Sequence, residues 1–249
     1  MKHYVLVHGA WGGAWEFEEM VTLLAADGSN VIAVDLPGHG DNKTPIAEVT
    51  MAAYIQKTID VIDSLNAKVI LVGHSLAGSI ISQVAEIIPE KIDRLVYVAA
   101  SLPKTGDTVL GLMQSDKGGK LLPNIVFSED QTYATITGKE VRDYMLHDVE
   151  DKARVERLIL HFLMKQATQP FMDPVKLSEA NFGSVSKYYI RATMDQVMSI
   201  ALQDEMLNNW KVDQVVTLES GHFPLTSMAQ KLSQVIQGFD SGETLQKIA

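Results

Sequence analysis

Ser75, Asp195 and His222 are the residues of this chain whose types and order suit nucleophilic chemistry. Ser75 stands in Gly73-His74-Ser75-Leu76-Ala77-Gly78, directly after the apolar run Lys68 to Val72. A β-branched strand running into Gly-x-Ser and then into a helix is the geometry of a nucleophile elbow. Its strained turn exposes the serine hydroxyl beside helix amides. The fifth position of the usual Gly-x-Ser-x-Gly is Ala77 here, and the glycine comes one residue late. A serine hydroxyl is a weak nucleophile until a base takes its proton, and imidazole titrates near working pH. A carboxylate on the far ring nitrogen fixes the tautomer and stabilises the imidazolium as it forms. In that scheme Ser75 attacks, His222 shuttles the proton and Asp195 orients His222.

These residues meet only if the elements that carry them place them at one edge. Short apolar runs closed by turn residues predict strands at Tyr4–His8, Asn30–Asp35, Lys68–Gly73, Arg94–Ala100, Lys187–Thr193 and Gln214–Glu219. Helical patterns lie between them, at Glu16–Ala26, Met51–Leu65, Leu76–Ile88, Gln203–Trp210 and Phe223–Phe239. Strands apolar on both faces, alternating with amphipathic helices, indicate a mostly parallel sheet of about six strands with helices on both faces. Ser75 follows the third strand, Asp195 the fifth and His222 the sixth. Ligands of open α/β sheets bind outside the carboxyl ends of the strands, so all three project at that edge. Asp204 and Asp213 are rival acids. Asp204 lies within a helical pattern, and Asp213 precedes a strand and would project from the opposite edge, so Asp195 is preferred.

The alternation breaks between Pro103 and about Asn181. That segment has helical stretches at Gly138–Met145 and Asp151–Gln166, no convincing strand, and the breakers Gly118, Gly119, Pro123, Pro170 and Pro174. We take 103–181 as a largely helical insertion after the fourth predicted strand, with 1–102 and 182–249 as one core. Its Met113, Phe127, Tyr133, Tyr144, Met145, Phe162, Met164 and Phe171 serve mostly as its own core, with a minority left to face an apolar pocket.

An acyl-transfer site also needs two amides aimed at the developing oxyanion. One is Leu76, the residue after the nucleophile. The other is expected from the loop His8-Gly9-Ala10-Trp11-Gly12-Gly13 after the first strand, most plausibly Ala10. Glycines there let backbone approach substrate closely. The loop lacks Gly-x-Gly-x-x-Gly, and no Gly-Lys-Ser/Thr follows, so a nucleotide site is a weak alternative. His8, His39 and His74 sit in turns beside glycine and suit structural hydrogen bonding. His147 and His161 lack clustered partners, and neither a metal nor a cofactor is expected.

Composition narrows the partners. The chain has 249 residues, is 46% hydrophobic and carries a formal charge of −10. That charge opposes nucleic acid and anionic membrane. With no cysteine, disulfides, thiolate metal sites and a cysteine nucleophile are excluded. The N-terminal apolar stretch is too short and too soon broken by glycine for a signal peptide. No run of about eighteen apolar residues suggests a membrane span. A soluble cytoplasmic protein is the expectation.

With these residues in place the chain resembles the α/β-hydrolase superfamily. More narrowly, it is similar to the plant methylesterase and hydroxynitrile lyase group, which includes the salicylate-binding methylesterases, and to bacterial relatives. The matching stretches are Tyr4 to Trp11, Asp35 to Gly40, Val69 to Leu76, Phe182 to Val185, Tyr189 to Asp195, and Gly221-His222. The resemblance implies an α/β-hydrolase fold in which the insertion 103–181 is the helical cap, a small-molecule ester substrate, and by analogy a homodimer. Hydroxynitrile lyases of this group carry a lysine directly after the catalytic histidine, to hold the leaving cyanide, and a threonine after the first strand's histidine. Here those positions, which would border the substrate, are Phe223 and Gly9. The expectation is a serine carboxylesterase acting on a small, fairly apolar ester through an acyl-enzyme at Ser75. The alternatives are lyase chemistry on the same triad and a slow-turnover ligand-binding sensor.

Overall fold

The computed structural model describes residues 1–239; the end of the expected core segment, 240–249, lies outside the described residues. Strands β1 (His3–Val7), β2 (Asn30–Val34), β3 (Val69–His74) and β4 (Ile92–Val98) form on Val-, Ile- and Leu-rich runs, and the central β1 and β3 are buried almost throughout, as strands covered on both faces are. Between β4 and the next long strand come three very short ones, β5 (Val126–Phe127), β6 (Tyr133–Thr135) and β7 (Gln166–Ala167). Strands β8 (Lys187–Ala192) and β9 (Gln214–Leu218) then complete the main sheet. Its spatial order is β2-β1-β3-β4-β8-β9, and every neighbouring pair is parallel.

Helix α1 (Glu18–Ala25) packs against Ala229–Gly238, and α2 (Met51–Asp63) packs against α3 (Ala77–Ile87). This is the mostly parallel six-stranded sheet expected from the alternation, and the architecture that the resemblance to the α/β-hydrolases implies. The register matters for chemistry. Val7 pairs with Gly73, His74 with Val98, and Ala192 with Leu218. Val98 also pairs with Ile190, so β8 and β9 run two residues past the end of β3, and with every pair parallel the loops that leave these strands share one edge.

Several expected elements differ in detail. The helix expected at Gln203–Trp210 runs from Ile200 to Met206, because the Ser199 hydroxyl accepts from the Leu202 amide and starts it earlier. The helix expected at Phe223–Phe239 is two pieces, Pro224–Ser227 and Ala229–Gly238, broken at Met228. The segment 103–181 contains strands after all. β5, β6 and β7 form a small antiparallel sheet. Strands of two or three residues are too short to show alternation, which is why the pattern hid them. A further helix, Val109–Ser115, is capped by Thr108, whose Oγ1 accepts from the Gly111 amide at 2.9 Å. Among the described residues no helix is long and apolar enough to cross a membrane.

Candidate active site

Ser75 is placed by backbone strain. Its φ is +56°, the left-handed region that costs a non-glycine residue about 1–2 kcal/mol. The turn is held by its neighbours. The Ser75 amide donates to Val98 O at 3.4 Å, and its carbonyl accepts from the amides of Gly78 at 3.1 Å and Ser101 at 3.0 Å. The late glycine of the motif now has a physical role. A Cβ on Gly78 would stand 1.9 Å from the Ser101 carbonyl oxygen, so this is where the segment just after β4 presses on α3. Ala77 is fully buried as the first residue of α3, and its methyl is accommodated.

The three residues separated in sequence meet here. His222 Nε2 lies 2.9 Å from Ser75 Oγ, and His222 Nδ1 lies 2.7 Å from Asp195 Oδ2. A carboxylate only accepts, so Nδ1 carries the hydrogen and Nε2 is free to accept from the serine hydroxyl. Asp195 is itself fixed, with Oδ1 accepting from the amides of Val197 at 2.7 Å and Met198 at 2.9 Å. Both His222 and Asp195 are buried. The rival acids are elsewhere. Asp204 pairs with Arg191 at 2.8 Å, and Asp213 Oδ2 accepts from the Lys187 amide at the far edge of the sheet.

Ala10 and Leu76 both line the cavity that contains Ser75 and His222. Among the described residues no backbone partner engages either amide. Gly9 is adjacent: a Cβ there would lie 2.8 Å from Ser75 Cβ, so any side chain at this position crowds Ser75. Phe223 is buried beside His222, with its ring 4.5 Å from His74 and 5.4 Å from His222, and it borders the same cavity. The cavity measures about 40 Å³ and is overwhelmingly apolar. Beside it lies a second apolar chamber of about 380 Å³, and Trp11, Met113 and Phe171 border both.

Of the aromatic and methionine residues in the segment 103–181, Met113, Met145 and Phe171 reach the inner cavity. Phe162 instead packs edge-on against Trp15 and Phe223. Sequence reasoning did not single out Val109, Leu121, Val197, Met198 or Leu202, which also line it. They are ordinary apolar residues, and only the packing of distant segments makes them pocket walls. Asp148 was also missed. Its Oδ2 accepts from the Gly221 amide at 2.7 Å, pinning the loop of His222 to the segment 103–181.

The loop of residues 9–13 is held by a buried hydrogen-bond chain. The Trp11 amide donates to Gln166 Oε1 at 3.0 Å, and Gln166 Nε2 donates to the Tyr54 hydroxyl at 3.1 Å. Tyr54 is 2.9 Å from His39 Nε2, and His39 Nδ1 is 2.9 Å from Gly12 O. The carbonyl requires Nδ1 to donate, so Nε2 accepts from the tyrosine. Burial lowers the pKa of His39 from 6.5 to about 4. The unfolded chain then binds more protons below pH 6.5, so stability is full above that value and declines as pH falls towards 4. The change corresponds to about 3 kcal/mol, at ~1.4 kcal/mol per pH unit. His8, pushed well below its ordinary value chiefly by burial, acts in the same direction. Thermal melts between pH 7 and 4 should show this loss, and a His39→Asn variant should show a shallower slope. An unchanged slope would contradict the assignment.

Comparison with known proteins agrees with the architecture. The chain belongs to the α/β-hydrolase family, whose model matches residues 4–235. Within that class it is similar to methylesterase 2 of Arabidopsis thaliana, at 31% identity over 93% of each chain. It is also similar to an α-hydroxynitrile lyase of the same plant, at 32% identity over 92% of this chain and 93% of the other. It spans 63%, 55% and 56% of the length of three further chloroplastic relatives. Among solved structures, a pyrethroid hydrolase from Sphingobium faniae JZ-2 superposes with a TM-score of 0.84 at 27% identity. That match covers 97% of this chain and 98% of the other.

Proposed function

We propose that the protein is a carboxylesterase that cleaves a fairly apolar ester through an acyl-enzyme on Ser75. The observation that carries this reading is the hydrogen-bonded chain from Ser75 Oγ through His222 to Asp195, opening into an apolar cavity. In this mechanism Ser75 attacks the ester carbonyl while its proton passes to His222 Nε2. The amides of Ala10 and Leu76 receive the oxyanion. His222 returns the proton to the departing alcohol, then activates the water that releases the acid. Every group these steps need is supplied by the chain itself. Relatives described as a methylesterase and a pyrethroid hydrolase support ester hydrolysis as the reaction class.

The reading includes the division of the chain into a core of 1–102 and 182–249 and a cap of 103–181. The cap closes over the nucleophile through Met113, Met145 and Phe171. A drug-sized ligand needs about 300 Å³ or more, so the cavity of about 40 Å³ suits only a small group beside Ser75. The larger part of a substrate fits the outer chamber of about 380 Å³.

The hydroxynitrile lyase relative favours a second reading, carbon–carbon cleavage on the same residues. Against it, among the described residues no lysine or arginine lines the inner cavity, and Phe223 meets His222 edge-on at the position directly after it, where a lyase would carry its lysine. A panel of methyl, acetyl and aryl esters, run beside a cyanohydrin, tests both. Sustained ester turnover without cyanide release is expected. Cyanide release exceeding ester turnover would favour the lyase, and a single-equivalent burst followed by a stall would favour a ligand sensor.

A further inference from the structure

Glu16 is a buried acid that the ester mechanism does not use. It lies in the short helical turn Ala14–Phe17, and its side chain is fully buried. Among the described residues neither carboxyl oxygen has a hydrogen-bond partner of good geometry, and the same is true of His74 Nδ1. These orphaned atoms face each other: Glu16 Oε2 is 3.5 Å from His74 Nδ1. Buried polar atoms without partners are costly and rare, so two that face one another at this separation belong together. The surrounding backbone makes room for the acid. A Cβ on Gly12 would stand 1.9 Å from Glu16 Oε1, so glycine at 12 is what admits the carboxyl group beneath the loop that carries Ala10.

On its other side, His74 reaches the base. Its Nε2 lies 2.8 Å from the main-chain carbonyl oxygen of His222, and the two imidazoles are 4.8 Å apart between centroids. A carbonyl only accepts, so His74 Nε2 carries a hydrogen. In the neutral ring Nδ1 is then an acceptor and needs a donor. We propose that Glu16 is a positioning residue for the base: its protonated carboxyl group donates to His74 Nδ1 and locks the tautomer that anchors the His222 main chain. The inference rests on the reading of His222 as general base.

The protonated form of Glu16 fits the chemistry as well as the geometry. Burial raises the carboxyl pKa above its ordinary value, outweighing the His74 ring and the Gly9 backbone, which pull it down. The alternative, a carboxylate beside a cationic His74, would place a full positive charge next to His222. That charge would oppose formation of the second imidazolium that the reaction requires. A neutral pair leaves the base unopposed. His74 thus links the elbow to the loop of His222, and Glu16 holds it in the tautomer that the His222 carbonyl requires.

Substitutions at Glu16 separate a donor from a mere space-filler. Glutamine keeps an N–H donor in nearly the same shape, whereas methionine fills the space without one. Because small misplacement of reacting groups costs up to about a hundredfold, Glu16→Met is expected to lower kcat about tenfold. KM should be unchanged, since only the base is displaced. Glu16→Gln is expected to stay within about twofold of the unsubstituted enzyme. Full kcat in Glu16→Met would overturn the positioning role, and a parallel fall in Glu16→Gln would overturn the donor assignment. Infrared spectra add a test that does not depend on Glu16→Met folding. A carboxylic-acid carbonyl band present in the unsubstituted protein and lost in Glu16→Gln is expected, and its absence would overturn the proposal. Loss of turnover in Ser75→Ala beside unchanged kcat in Glu16→Met would leave the esterase reading standing and this one refuted.

Discussion

Ser75→Ala is expected to lower kcat for a chromogenic short-chain ester by roughly a millionfold, to the level that binding and oxyanion amides sustain alone. The size of the effect follows from what the hydroxyl does. In the proposed mechanism it forms the covalent bond to the acyl group, and neither His222 nor Asp195 can substitute for it at that position. The fold should survive. Alanine keeps the Cβ that packs against Gly9, and the turn is held by backbone bonds from Val98, Gly78 and Ser101 that do not involve the hydroxyl. Steady-state kinetics paired with a thermal melt checks both halves. Turnover retained in a folded variant would sink the acyl-enzyme mechanism.

Asp195→Asn is expected to cost about ten-thousandfold in kcat, nearly all of it through the tautomer of His222. Asp195 Oδ1 accepts from the Val197 and Met198 amides, so an asparagine there keeps its carbonyl oxygen on those donors. Its NH₂ then faces His222 Nδ1, where Oδ2 accepts at 2.7 Å in the native chain. A donor at that place forces the hydrogen onto Nε2, which can no longer take the proton of Ser75. Asp204→Asn is the matched control. It removes one side of an exposed pair with Arg191, and surface pairs of this kind contribute about 0–1 kcal/mol. Kinetics on both variants should separate the two aspartates completely. Comparable losses would mean that Asp195 is not the partner of the base.

Much of this architecture is legible in the chain itself, because its signals are local. The central strands β1 and β3 are nearly continuous apolar runs, and a fully buried strand can hardly be written otherwise. The elbow is recognisable because a strained turn with φ of +56° at Ser75 needs its small neighbours, and Gly73 and Gly78 stand close by. Asp195 could be preferred over Asp213 because a residue before a strand and a residue after it emerge at opposite edges of a parallel sheet. The apparent defect at Ala77 resolved into a shift of the close contact by one residue, from the fifth position of the motif to Gly78.

What the sequence alone determined is the order of elements, the edge at which Ser75, Asp195 and His222 emerge, and the chemistry their types allow. Only the tertiary structure decided that these side chains lie within hydrogen-bond reach. It also decided which residues of 103–181 face the nucleophile, that this segment contains a small sheet, and that Glu16 ends beside His74. The physical reason is range. Strand and turn signals depend on neighbours within a few residues, whereas the pairing of Glu16 with His74, or of Asp148 with Gly221, is between residues distant in the chain. Such a pairing depends on how whole elements pack, and no local pattern encodes it.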